Sequence, residues 1–189
     1  MTKRVLGFDI SSATIGYSIL DIEDDGKIYL ITAAYLKPLK TGTIIERMVD
    51  TRDKIQDIIN KAKPDYIGIE DIIQFMQGKS TAKTIIMLTT FNRMISLCAY
   101  DYLKKSPELF SVMTIRHGLK FDKVFPKKED MPELVAKHLE ITFPYERSTK
   151  GKKKGAIKVE SYDMADGVAV ALYYAFVLTD KVKRKGKKK

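Results

Sequence analysis

Val5-Leu6-Gly7-Phe8-Asp9-Ile10-Ser11-Ser12-Ala13-Thr14-Ile15-Gly16-Tyr17-Ser18-Ile19-Leu20 carries two apolar runs separated by four small residues. The run over 4–10 has the length and unbroken apolarity of a buried strand, and 15–20 reads as a second strand reached through the tight Ser11-Ser12-Ala13-Thr14 turn. Asp24-Asp25-Gly26 is a hairpin signal, and 27–35 alternates as a third strand, so the chain opens with an antiparallel meander. Over 43–62, Ile44, Met48, Ile55, Ile59 and Ala62 follow helical spacing until Pro64 ends the pattern. A buried strand at 66–70, parallel to the first, comes next. Beyond it the pattern predicts a long helix over 80–103, a strand over 109–115, a short helix over 132–139, a mobile basic loop over 146–158 and a last helix over 161–178. Met87, Met94 and Leu97 widen the apolar stripe of the long helix, which implies deep burial or a second interface. The sum is a mixed α/β fold: a five-stranded sheet with its first three strands antiparallel.

The 189 residues, 44% hydrophobic and 31% charged, fit one globular domain. Its expected extent is 1–180, followed by a basic tail at 181–189. The single cysteine, Cys98, lies on an apolar helical pattern and reads as a core thiol. Neither a Cys/His cluster, nor a signal peptide, nor a bilayer-length apolar run is present, so a soluble cytoplasmic protein is expected. The net charge is +10, and discounting the seven basic residues of the tail still leaves a basic body.

Four carboxylates carry the chemistry. Asp9 closes the first apolar run and Glu70 closes Tyr66-Ile67-Gly68-Ile69. Asp163 and Asp166 stand three apart at the start of Asp163-Met164-Ala165-Asp166-Gly167-Val168-Ala169-Val170-Ala171-Leu172, on one face of a helix and in its first turn. An isolated acidic pair there would be a solvated cap. The two strand-end acids change that reading, because ligands of open α/β sheets gather outside strand ends. Four acids at one point repel unless a cation joins them, and oxygen donors suit magnesium or manganese. A basic surface around such a site fits a polyanionic substrate, so the residues point to a metal-dependent phosphodiester hydrolase. No covalent nucleophile is evident, and His117 and His138 are isolated from each other. Gly7 and Gly167, beside the acids, serve either close backbone approach or simple packing.

With these residues in place, the chain resembles the RuvC-like Holliday junction resolvases of the ribonuclease H-like superfamily. Leu6-Gly7-Phe8-Asp9 with its small-residue turn and Gly16-Tyr17 is similar to the family's first motif. Ile67-Gly68-Ile69-Glu70 resembles the strand bearing the family's glutamate, and Asp163-Met164-Ala165-Asp166 with its Ala-rich continuation resembles the terminal Asp-x-x-Asp motif. The resemblance spans residue 4 to about 178. It implies a ribonuclease H-like sheet with helices on both faces. It also implies two divalent ions (Mg2+ or Mn2+) per subunit on Asp9, Glu70, Asp163 and Asp166, and a homodimer cutting four-way DNA junctions. No nucleotide cofactor and no membrane partner are expected.

For DNA contact the candidates are Phe75 and Lys79 in the loop after Glu70, a patch of Arg116, Lys120, Lys123, Lys127 and Lys128, and the loop lysines Lys152, Lys153 and Lys154. Phe75 is either a base-stacking wedge or a core residue. Backbone contacts from the cations would fix register without reading sequence. Sugar kinases and actin-like ATPases share the first motif but need two such domains, which this length excludes. The closer rival is a phage-type branched-DNA or flap endonuclease with the same site. A binding module without catalysis is disfavoured, because four acids only repel phosphate.

Overall fold

Three consecutive antiparallel strands, β1 (Lys3–Ile10), β2 (Ile15–Ile22) and β3 (Ile28–Leu36), form one side of a single sheet in the computed structural model. The structure describes residues 1–11, 13–72, 81–121, 125–149 and 154–181. The β1–β2 turn is held by Ser11, whose Oγ accepts the Thr14 backbone N–H at 2.9 Å and whose backbone N–H donates to the Thr14 carbonyl at 3.1 Å. At the β2–β3 hairpin, Gly26 takes φ 80°, a left-handed value that costs glycine nothing.

Helix α1 (Ile44–Ala62) starts with a reciprocal capping box between Thr43 and Glu46 and leads to β4 (Tyr66–Asp71), parallel to β1. Helix α2 (Ala82–Leu103) then returns the chain to β5 (Glu108–Ser111), parallel to β4. The strand order is β3-β2-β1-β4-β5. Helices α3 (Val112–Leu119), α4 (Met131–Leu139) and α5 (Glu160–Leu178) complete the fold. The five-stranded mixed sheet with an antiparallel first half is the expected one.

The sheet separates two apolar layers. Leu6, Phe8, Ile67 and Ile69 pack with Ile55 and Ile59 of α1 and Phe91 and Ile95 of α2. On the other face Val5, Leu20 and Phe110 meet α5, which is covered in turn by α3 and α4. That double cover explains why α5 is buried continuously from Asp163 to Val177 and has no polar face. Its approach to the sheet is backbone to backbone. A Cβ on Gly16 would lie 1.8 Å from the Asp163 carbonyl oxygen, and one on Gly167 would lie 2.7 Å from the Gly16 carbonyl carbon. Of the two readings of Gly7 and Gly167, close backbone approach is the one observed, since a Cβ on Gly7 would sit 2.5 Å from the Ala171 nitrogen.

Three expectations are corrected. The strand anticipated over 109–115 ends at Ser111, whose Oγ accepts the Thr114 N–H at 3.1 Å and starts α3, overriding the β propensity of Val112, Thr114 and Ile115. Within the basic segment 146–158, expected as a mobile loop, the described residues pair across an isolated antiparallel bridge. Arg147 bridges Ile157, Lys158 donates to the Glu146 carbonyl, and Ser161 Oγ accepts the Glu146 N–H at 2.9 Å. Finally, α5 begins at Glu160, which leaves Asp163 in its first turn but Asp166 in the second. No helix among the described residues is long and apolar enough to cross a membrane.

Candidate active site

The parallel pairing of β1 with β4 has its last pair at Phe8 and Ile69, so the next residues, Asp9 and Glu70, end adjacent strands side by side. Asp9 is also paired across β2 with Gly16, the residue against which α5 packs at Asp163. The result is convergence. Carboxylate oxygens of Asp9, Asp163 and Asp166 all lie within 4.8 Å of one another. Glu70 borders this trio and repels both Asp9 and Asp166. Neither helix acid caps its own helix by a side-chain hydrogen bond, so the cap reading of that pair fails.

Two cations face the acids. Lys128, from the turn before α4, places its ammonium 2.7 Å from Asp163 Oδ1 and 3.2 Å from Asp166 Oδ2. Arg116, on α3, brings Nη2 to 3.9 Å from Asp166 Oδ1, while its buried Nε has no partner among the described residues. Among the described residues, four carboxylates against these two cations leave an excess of negative charge. Burial, then repulsion by Glu70 and Asp166, pushes the Asp9 carboxyl well above the usual range. Burial and Asp166 push Glu70 up to about 7, against the pull of Arg116 and Lys128. Burial also raises Asp166, although Lys128 and Arg116 act to lower it. Burial works against the charge of Lys128, but Asp166 and Asp163 outweigh it and hold the ammonium above the ordinary lysine range. Buried oxygen donors that repel one another, with a lysine as counter-cation, form an environment that a hard divalent ion would satisfy.

Arg116 and Lys128 were expected among DNA contacts, and the structure brings both into the acid cluster instead of a separate patch. Their 35-residue and longer separations from Asp163 hide this in the sequence. Lys120 caps the end of α3. Lys127 and Lys154 are exposed. Phe75, Lys79, Lys123, Lys152 and Lys153 lie outside the described residues. Of the two isolated histidines, His138 pairs through Nε2 with the Leu119 carbonyl at 2.6 Å and stacks on Phe121, away from the acids. One residue escaped notice altogether: Asn92 of α2, fully buried, donates from Nδ2 to the Glu70 backbone carbonyl at 2.9 Å. The available signal was a polar residue in phase with Phe91, Ile95 and Cys98 on the buried face.

Known proteins share this fold and part of this sequence. The profile of the crossover junction endodeoxyribonuclease RuvC family matches residues 5–109, which include Asp9 and Glu70. RuvC of Fusobacterium nucleatum is 29% identical over 106 residues, 53% of this chain and 55% of that relative, so this match spans about half its length. RuvC of Aliarcobacter butzleri is 23% identical over 172 residues, 91% of this chain and 97% of that one. Among solved structures, Thermus thermophilus RuvC in complex with a Holliday junction substrate superposes with a TM-score of 0.69 at 15% identity, over 94% of this chain and 96% of that one, a likeness of fold. The profile match covers more than half of the chain, including Asp9 and Glu70, and the chain therefore belongs to the crossover junction endodeoxyribonuclease RuvC family.

Proposed function

We propose that this protein is a structure-specific endonuclease that cuts four-way DNA junctions by metal-dependent hydrolysis. The observation that carries the proposal is the convergence of Asp9, Asp163 and Asp166 within 4.8 Å, with Glu70 alongside, in a chain of this family. The all-oxygen donor set and the raised acid pKa values fit two Mg2+ or Mn2+ ions held by Asp9, Glu70, Asp163 and Asp166. When bound, such a pair activates water and stabilises the attacking and leaving oxygens of an in-line displacement. The protein's own contribution is positional: two rigid strand ends and one buried helix fix the donors before substrate arrives. Lys128 and Arg116, both in contact with the acids, would be available to a phosphate brought to the same place once a metal ion takes over the carboxylates.

Binding and assembly follow from the surface. The strand-like segment at Glu146 is tied through Ser161 to the first turn of α5, which also carries Asp163, and the basic residues that follow it in sequence, Lys152, Lys153 and Lys154, are proposed DNA contacts. Together with Lys127 and the loop containing Phe75, they would grip the DNA backbone. The domain proper is 1–180, and the tail over 181–189 adds non-specific attraction to phosphate. On α2, Ile86, Arg93, Leu97 and Tyr100 fall on one face and are exposed, Leu97 by 60%, opposite the face that covers the sheet. A two-fold contact through this second face would present two sites to two opposed strands.

The test is cleavage of a synthetic four-way junction, a flap and a plain duplex, with Mg2+ and with EDTA. Paired cuts across the junction, dependent on Mg2+ and exceeding those on duplex, support the proposal. Preference for the flap would move the protein to the branched-DNA nucleases of relaxed specificity, and absence of cutting on all three would refute catalysis.

A further inference from the structure

Beneath Glu70 a polar side chain is set into an otherwise apolar helix face. Asn92 is 0% exposed and is flanked in the core by Phe91, Ile95 and Cys98. Only half of its amide is satisfied: Nδ2 donates to the Glu70 carbonyl at 2.9 Å, and Oδ1 has no partner among the described residues. An unpaired buried acceptor is costly, and the bond to the Glu70 carbonyl is the one contact here that offsets it. The local rule is broken directly under an acid of the site, which is where such breaches carry function.

The backbone around Glu70 shows what the amide does. The ladder between β1 and β4 has its last pair one residue earlier, at Phe8 and Ile69. On its other side Glu70 stays paired with Phe110 of β5, and past the last β1 pair the Asn92 amide holds the Glu70 carbonyl from α2. The next helix residue, Arg93, reaches the next strand residue, Asp71, at 3.9 Å. That second pair is solvent-exposed and weak, so the buried Asn92 bond is the one that fixes the strand end from α2. Fixing the Glu70 peptide plane fixes the direction of its Cα–Cβ bond and hence where the carboxylate can reach.

We infer that Asn92 is a positioning residue for the Glu70 carboxylate, acting through the Glu70 backbone carbonyl. The inference rests on the nuclease reading above. Asn92 touches no substrate. Its role is to keep the fourth acid in register with the trio at the expense of an unsatisfied oxygen in the core.

Stability and function should therefore separate. Asn92→Leu keeps the volume and removes one unpaired acceptor, but it leaves the Glu70 carbonyl without this donor, so its melting temperature in EDTA should stay close to that of the wild type. Its single-turnover junction cleavage should fall roughly 10–100-fold, the cost of a misplaced group in a preorganised site. The Mg2+ concentration for half-maximal cleavage should rise, and Mn2+ affinity by calorimetry should weaken in step, while junction binding in Ca2+ is retained. Asn92→Ala, which always fits, should show the same metal and rate defects when assayed well below its own melting point. Wild-type cleavage and metal dependence in variants of normal stability would overturn the inference and leave the nuclease reading intact. Absence of Mn2+ binding or cleavage in the wild type itself would overturn both.

Discussion

Lys128→Met deletes an ammonium and keeps its stem, and the structure sets the size of the effect. In the metal-free protein that ammonium makes contacts of 2.7 and 3.2 Å with two buried carboxylates. A single such pair at an effective dielectric of about 20 is worth roughly 4 kcal/mol of Coulomb energy at 4 Å. The lysine side chain is 43% exposed, so screening and desolvation reduce the net loss to about 1–2 kcal/mol. For a chain of this size each kcal/mol moves the melting temperature by about 2–4 °C. The variant should therefore melt about 2–8 °C below the wild type in EDTA. The same substitution removes the cation that competes for Asp163 and Asp166, so Mn2+ should bind about ten-fold more tightly, or about 1.4 kcal/mol. Adding Mn2+ should then raise the melting temperature of the variant by more than it raises that of the wild type. Differential scanning fluorimetry with and without Mn2+, and calorimetric titration, read both quantities. Equal melting temperatures in EDTA together with equal Mn2+ increments would refute the counter-cation role of Lys128.

The other expectations concern the acids and the assembly. Asp9→Asn relieves repulsion at a carboxyl already pushed upward by burial and by its acidic neighbours, so the metal-free variant should melt at or above the wild type while cleavage falls by orders of magnitude; a destabilised variant with normal cleavage would contradict this. Glu70 has a folded-state pKa of about 7 against its ordinary 4.5, so its contribution to metal-free stability is fully present below pH 4.5 and is lost as pH rises through 7. Melting curves in EDTA should show that decline, and saturating Mg2+ should flatten it; a metal-free stability that instead rises over this window would count against the electrostatics. Leu97→Glu, on the exposed face of α2, should yield a folded monomer by sedimentation and abolish paired junction cuts, whereas an unchanged dimer would place the two-fold contact elsewhere.

The antiparallel half of the sheet and the strand parallel to β1 were legible because those segments are apolar or alternating, and the first three are joined by short turns with explicit chemistry at Ser11 and Gly26. The acids were legible because Asp9, Glu70 and the Asp163–Asp166 pair each terminate or begin such a run. Residues 112–119 were not: Val112, Thr114 and Ile115 favour a strand, and only the Ser111 cap reveals the helix. Lys128 and Arg116 looked like surface charge, since nothing local to either residue records that α4 and α3 pack against α5 and carry them to the acids. Asn92 was silent for a similar reason. Its partner is a backbone carbonyl 22 residues away, and main-chain acceptors leave no mark on a sequence.

Anomalous diffraction from crystals grown with Mn2+ most directly tests the claim that the four acids form a divalent-metal centre. Two manganese peaks should appear among Asp9, Glu70, Asp163 and Asp166, with the Lys128 ammonium moved off its carboxylates. Lys128 still paired with Asp163 and Asp166, and no manganese among the acids at saturating concentration, would contradict it.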